Sequence, residues 1–212
     1  GNEEQLILAI EKLKKELDEN KQSLIKAGEL QACRFGMHLF QPLFHVRKGG
    51  KITILPVALN ESEFQFVTDI KDWSESNATS LNNDGVELFL LRNLSRGKGV
   101  GFFEAGNFYP DFILWMIVKE KQYVTFIEPH GLLQEGPFSN KVQFYRHIKD
   151  IENRLARPDI ILNSFILSWT EYPQLRWGIS QEEMEANHVL FMTNDRDGYI
   201  DKLFYSLKEN VF

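Results

Sequence analysis

Cysteine is almost absent from this sequence, with Cys33 alone among 212 residues. One cysteine cannot form an intramolecular disulfide, so a disulfide framework is excluded and a reducing, cytoplasmic location is expected. Long hydrophobic runs are absent as well, because nowhere do about 18 apolar residues follow one another. A transmembrane helix needs a run of that length, so no membrane association is expected.

Phosphate-binding glycine loops are also missing. Gly97, Gly99, Gly101 and Gly106 fit neither GxGxxG nor GxxxxGK followed by Ser or Thr, so no nucleotide-binding motif is present. Excess positive charge is missing too, since 24 Lys and Arg stand against 30 Asp and Glu, for a net charge of −6. This balance excludes a general nucleic-acid coat protein.

The charge is unevenly distributed along the chain. Residues 87–157 hold ten basic and eight acidic side chains, for a local charge of +2, whereas the rest carries −8. The middle of the chain is therefore the part suited to a polyanion. Hydrophobic residues make up 43% and aromatic residues 13% of the chain, which is enough for a packed core. We expect segments at 1–28, 29–79 and 80–212, the last being the main domain.

The N-terminal segment has a heptad pattern. Apolar residues recur within 3–27, at Leu6, Ile10, Leu13, Leu17 and Leu24. This spacing predicts one helix ending at Gly28. Two interpretations stay open: a coiled-coil arm that forms a homodimer or docks on an upstream domain, and an amphipathic helix packed on its own domain. The chain begins at Gly1 without an initiator Met, so we expect an excised piece of a longer protein.

The second segment predicts a hairpin followed by a helix. Apolar stretches within 38–59 flank Gly49-Gly50, a pair suited to a hairpin turn. Asn60 and Glu63 have capping-box spacing and predict a helix through about Trp73. A polar loop is then expected over 74–83. Asp84 and Glu87 have the same spacing and predict a second capped helix over VELFLLRNL.

The remaining sequence alternates between strand and helix patterns. Strands are predicted near 99–105, 111–118, 122–129, 160–169 and 188–192, and helices over 139–155, after Ser180 and near the C-terminus. Such alternation predicts an α/β fold with a central mixed sheet flanked by helices, preceded by the helical arm and the hairpin.

The stretch 106–131 carries the most chemical information. Asp111 follows Pro110 at the start of one predicted strand, and Glu128 ends the next, just before Pro129 and His130. A hairpin through the charged KEKQ turn places the two acids side by side at one end of the sheet. Two carboxylates held in this way suit Mg²⁺ or Mn²⁺, which can activate water and stabilise charge on a phosphodiester.

These residues resemble a known nuclease family. The motif is similar to the PD-(D/E)xK motif of the restriction-endonuclease-like superfamily. It consists of Pro-Asp, a gap of about 16 residues, and then Glu-x-His. The longer sequence around the motif looks like the C-terminal endonuclease domain of type III restriction-enzyme-like helicase–nucleases. It reads GVGFFEAGNFYPDFILW, followed after a gap by FIEPHG. The resemblance covers roughly 80–212. It implies a restriction-endonuclease-like core and Mg-dependent hydrolysis of DNA in a restriction or defence system.

The resemblance also assigns roles to individual residues. Asp111 and Glu128 match the metal-binding acids, and Glu87 matches an extra acid that many members contribute. His130 stands where the family usually has Lys; a neutral His can act as a base near pH 7 but supplies no fixed positive charge. Lys141, at the start of the next helix, is a candidate to take over the lysine role.

Partners follow from the same resemblance and from the local charge. Arg92, Arg96, Lys98 and Lys141 are candidates for contacts with DNA phosphates, although a solvated loop explains the RNLSRGK stretch equally well. The resemblance implies an upstream helicase or ATPase region in the same polypeptide and a modification subunit.

A rival hypothesis assigns the chain to another functional class. His130 in place of Lys, the net charge of −6 and the heptad arm would also fit a catalytically weakened nuclease fold that binds DNA or docks on a protein. Plain structural roles stay open for the site residues: Asp111 as a strand-entry residue, Glu87 as part of a capping box, and His130 as a loop residue.

Overall fold

The computed structural model describes residues 59–93, 108–196 and 198–208, and the backbone of three short strands nearer the N-terminus. The chain divides into two compact units, Gly1–Glu75 and Ser76–Phe212. None of the helices in the described part is long and apolar enough to cross a membrane.

The first unit contains a three-stranded antiparallel sheet. Its strands β1 (Leu24–Ala27), β2 (Leu30–Cys33) and β3 (Leu43–Val46) lie in sequence order. The helix predicted over 3–27 is therefore wrong at its C-terminal end, where Leu24–Ala27 pairs with β2. Pairing of Leu24–Ala27 with Leu30–Cys33 outweighs the heptad pattern at this end of the segment. Residues 1–23, and with them the dimer hypothesis, lie outside the described residues, as do Gly49-Gly50 and 51–58.

The capping box at Asn60 is confirmed. The side-chain Oδ1 of Asn60 accepts a hydrogen bond of 2.9 Å from the backbone amide of Glu63, and Oε2 of Glu63 accepts one of 2.9 Å from the amide of Asn60. These two bonds satisfy amides that a helix start leaves without partners. Helix α1 (Glu61–Ser76) follows, three residues longer than predicted.

The predicted polar loop over 74–83 is wrong. Helix α1 runs to Ser76, and a second short helix, α2, occupies Ala78–Asn83. The Ser- and Asn-rich sequence has weak helix propensity, but Leu81 is buried, and burial of an apolar side chain outweighs propensity.

The second unit is built on a five-stranded mixed sheet. Its strands are β4 (Val86–Arg92), β5 (Phe112–Val118), β6 (Lys121–His130), β7 (Ile160–Ser168) and β8 (Val189–Phe191), in that spatial order. The pairs from β4 to β6 are antiparallel, and those from β6 to β8 are parallel. The predicted α/β class and mixed sheet are therefore confirmed. The strand predicted at 99–105 lies outside the described residues.

Strand β4 replaces a predicted helix. Val86, Leu88 and Leu90 are buried while Glu87 between them is exposed, which is the two-residue alternation of a strand. The preceding Gly85 has φ of 64°, a turn conformation that glycine adopts without steric cost. The Asp84–Glu87 spacing therefore belongs to a turn and a strand, and the second capped helix is wrong.

Helices connect and cover the parallel strands. They are α3 (Phe144–Leu155), α4 (Gln181–Ala186), capped by Ser180, and α5 (Tyr199–Lys208). Helix α3 begins five residues later than predicted and joins β6 to β7. Its Phe144 and Ile148 pack on Ile113, Val124 and Phe126 of the sheet. This packing fixes the ends of β5 and β6, where the candidate site lies.

Candidate active site

Asp111 and Glu128 meet at one end of the β5–β6 hairpin. Phe112 pairs with Ile127 in the antiparallel register, so Asp111, one residue before β5, lies beside Glu128. The backbone amide of Asp111 donates a hydrogen bond of 3.1 Å to Oε2 of Glu128. The side chain of Glu128 is 8% exposed and that of Asp111 28%. The two acids are therefore adjacent, as predicted, and the side chain of Asp111 is the more exposed of the two.

The neighbouring strand end holds Asp111 in place. The backbone amide of Asn93 donates to the carbonyl oxygen of Asp111 at 2.8 Å, and its side-chain Nδ2 donates to the carbonyl of Pro110 at 2.8 Å. Asn93 is buried, so these bonds are shielded from water. Sequence analysis did not single out this residue, because an Asn after an apolar run carries no specific signal.

Each acid has a cationic partner. Nη1 of Arg92 lies 3.1 Å from Oδ1 of Asp111, and its guanidinium lies over the Phe112 ring, 4.9 Å from the centroid. Nζ of Lys141 lies 2.9 Å from Oε1 of Glu128. Both basic residues were predicted as DNA contacts; the structure shows each of them in an ion pair with one of the two acids, and contact with DNA stays a prediction. Lys141 therefore lies beside the buried acid, and its part in the lysine role stays a prediction.

The surroundings of Glu128 disfavour the ionised form of its carboxyl group. Burial and the negative charge of Asp111 raise the pKa of Glu128 to about 7, although Lys141 and the amide of Asp111 both favour its ionised form. Near neutral pH the carboxyl group is therefore divided between its protonated and ionised forms. A further positive charge beside the two acids would favour ionisation.

His130 lies on the same face of β6 as Glu128, two residues along the strand. Burial and the nearby charge of Lys141 lower the pKa of His130, while Glu135 and Asp111 act in the opposite direction. The imidazole is consequently neutral at pH 7 and able to accept a proton. Its Nε2 lies 3.8 Å from Oε1 of Glu135.

Glu135 is a neighbour that sequence analysis missed. It lies in the loop between β6 and α3, and its Oε1 is 4.0 Å from Nζ of Lys141. The indole Nε1 of Trp177 donates a hydrogen bond of 3.1 Å to the backbone carbonyl of Glu135. This long-range contact positions the loop, and no periodic pattern in the sequence predicts it.

Glu87 does not join the site. It pairs with Ile117 near the far end of β5, whereas Arg92 of the same strand pairs with Phe112 beside Asp111. Five residues of extended strand separate those positions, about 17 Å. The register of β4 on β5 therefore does not bring Glu87 together with Asp111 and Glu128. Arg96 and Lys98 lie outside the described residues.

Asp111 and Glu128 suit a magnesium site with few protein ligands. In the described part of the chain, no group of three or more His, Cys, Asp or Glu side chains is arranged to hold a metal ion. Mg²⁺ keeps several waters and is commonly held by one or two carboxylates. Two mutually repelling carboxylates, one of them buried with a raised pKa, fit such a cation.

Comparison of the chain with protein families, curated proteins and solved structures found no match. The case for a function therefore depends on the geometry of these side chains. That geometry combines two adjacent acids, a lysine on the buried acid and a neutral histidine.

Proposed function

We propose that the second unit is a metal-dependent endonuclease domain of the PD-(D/E)xK, restriction-endonuclease-like type. The observation that carries the proposal is the meeting of Asp111 and Glu128 at the end of the β5–β6 hairpin, with Lys141 on Glu128. DNA is the proposed substrate, and the domain would serve a restriction or defence helicase–nuclease whose motor lies upstream in the same polypeptide.

The topology supports this proposal. An antiparallel β4–β5–β6 set continues through helix α3 into the parallel strand β7. The order of hairpin, helix and parallel strand is compatible with a restriction-endonuclease-like core.

In this proposal Asp111 and Glu128 would hold Mg²⁺ or Mn²⁺. When bound, the cation supplies activation of water and neutralisation of charge on the phosphodiester. Neutral His130 accepts the proton of the attacking water, and Lys141 contributes the positive charge that His130 lacks. Arg92 orients the carboxylate of Asp111 through its contact with Oδ1.

Cleavage of supercoiled plasmid tests the proposal. The wild type should nick the plasmid with Mg²⁺ or Mn²⁺ and lose this activity in a chelator. Asp111→Asn keeps the side-chain shape but removes a ligand charge, and it should abolish nicking. Glu120→Gln is the matched control, because Glu120 is exposed in the turn at the other end of the hairpin. Equal nicking by the wild type and Asp111→Asn would refute the assignment.

A second candidate is a catalytically weakened nuclease fold used to bind DNA or a protein. The observation that favours it is that Arg92 and Lys141 each form an ion pair with one of the two acids. In that case the wild type and Asp111→Asn would be equally inert with either cation. DNA binding, followed by fluorescence anisotropy, would be the same with and without Mg²⁺.

A further inference from the structure

Lys141 lies between two carboxylates. Its Nζ is 2.9 Å from Oε1 of Glu128 and 4.0 Å from Oε1 of Glu135. Glu128 is buried, whereas the side chains of Lys141 and Glu135 are each 23% exposed. The ammonium thus has one hydrogen-bonded partner and a second acceptor about 1 Å beyond hydrogen-bond distance.

The backbone holds Glu135 in place independently of Lys141. The amide of Glu135 donates a hydrogen bond of 3.1 Å to the carbonyl of Leu132, and its own carbonyl accepts one of 3.1 Å from Trp177. The lysine side chain is flexible and can move its charge through rotamer changes. A shift of the ammonium toward Glu135 therefore needs no rearrangement of the loop.

We propose that Glu135 is a positioning residue: it takes the ammonium of Lys141 whenever Glu128 is engaged elsewhere. The relevant engagement is a divalent cation at Asp111 and Glu128, so this part of the inference rests on the proposed function. A cation competes with Lys141 for Glu128 and repels its ammonium. Glu135 then keeps Lys141 paired and inside the site, where its charge remains available to a substrate phosphate.

The first test needs no metal. It measures, by thermal unfolding, whether the effects of substitutions at Glu128 and Glu135 on the melting temperature depend on each other. Glu135→Gln is compared in the wild type and in Glu128→Gln, both in chelator. In the Glu128→Gln background Glu135 is the remaining carboxylate within 4.0 Å of Lys141 among the described residues, so Glu135→Gln should lower the melting temperature by about 2–4 °C more than in the wild type. Additive effects would overturn the proposal. Glu120→Gln, with the same charge change at a distant turn, should show no coupling.

The second test follows Mg²⁺ binding by calorimetry in the wild type, Glu135→Gln, Lys141→Met and the double variant. Glu135→Gln should weaken binding roughly three- to tenfold, because Lys141 then stays on Glu128 and competes. In the Lys141→Met background the same change should have no effect. An equal loss in both backgrounds would mean that Glu135 acts on the cation directly, and would overturn the proposal.

The two tests separate the proposals from each other. A wild type that binds no Mg²⁺ overturns the proposed function, and the unfolding experiment then decides alone whether Glu135 is the alternative acceptor for Lys141. Mg²⁺ binding without coupling between Glu128 and Glu135 leaves the proposed function standing and overturns the role of Glu135.

Discussion

The backbone amide of Asp111 donates a hydrogen bond to the side chain of Glu128, so the two acids are joined across the β5–β6 pair. The remaining oxygen of Glu128 accepts from Lys141. Glu128 thus uses both oxygens within the protein, yet burial and the charge of Asp111 still raise its pKa to about 7. A site of this kind is costly for folding near neutral pH, as expected where function constrains it.

Glu128 should make stability depend on pH. Its pKa in the folded protein lies above the ordinary value of 4.5, so the folded protein binds this proton more tightly than the unfolded chain does. The resulting contribution to the free energy of unfolding is fully present below pH 4.5 and is lost as pH rises through about 7. Glu128→Gln removes this pH dependence. As pH rises from 4.5 to 8, the free energy of unfolding of the variant should therefore increase relative to that of the wild type by up to about 3 kcal/mol. Chemical denaturation in chelator at several pH values measures the difference. A constant difference across that range would contradict the raised pKa.

Cation binding should strengthen with rising pH. Below about pH 7 a proton on Glu128 competes with the metal ion, so Mg²⁺ affinity should increase through pH 7 and level off near pH 8. Burial and the charge of Lys141 lower the pKa of His130 from its ordinary value, in the direction opposite to the shift of Glu128, so His130→Ala should keep the binding profile. Cleavage by that variant should fall by roughly 10²–10⁴-fold if His130 is the base. Calorimetry and plasmid cleavage at matched pH values check both statements.

Lys141→Met should destabilise the protein and move the pH dependence of Mg²⁺ binding upward. Lys141 favours the ionised form of Glu128, so its removal raises the pKa of that carboxyl further. Loss of a charged hydrogen-bond partner at a buried acid costs roughly 1–3 kcal/mol. Denaturation at pH 8 measures this cost. An unchanged stability together with an unchanged pH profile would show that the ion pair has no energetic weight.

Glu87→Ala should have little effect. The side chain is exposed on β4, opposite Ile117 and far from Asp111. Its removal should change stability by no more than about 0.5 kcal/mol and leave Mg²⁺ affinity unchanged. If Glu87→Ala abolishes Mg²⁺ binding, the acid belongs to the metal site and β4 pairs with β5 in a different register.

The hairpin at the centre of the site was predictable because its signals are local. Two apolar runs of strand length flank a charged turn, and antiparallel pairing then places Asp111 beside Glu128. The capping box of Asn60 and Glu63 was predictable for the same reason. The similar spacing of Asp84 and Glu87 led to the wrong prediction of a helix. A short apolar run fits a helix or a strand equally well, and its pairing with β5 makes this one a strand.

The rest of the site depends on contacts that are distant in sequence. The carbonyl of Glu135 accepts a hydrogen bond from Trp177, 42 residues further along the chain. Asn93 binds the backbone of Asp111 only because β4 pairs with β5. Neither contact follows from periodicity, so the charges around the two acids could be assigned only from the fold.

The central claim is that Asp111 and Glu128 form a divalent-cation site, and calorimetric titration of the protein with Mg²⁺ at pH 8 tests it most directly. The wild type and Glu120→Gln should bind one cation each, and Asp111→Asn should bind none. No binding by the wild type, or equal binding by Asp111→Asn, would contradict the account.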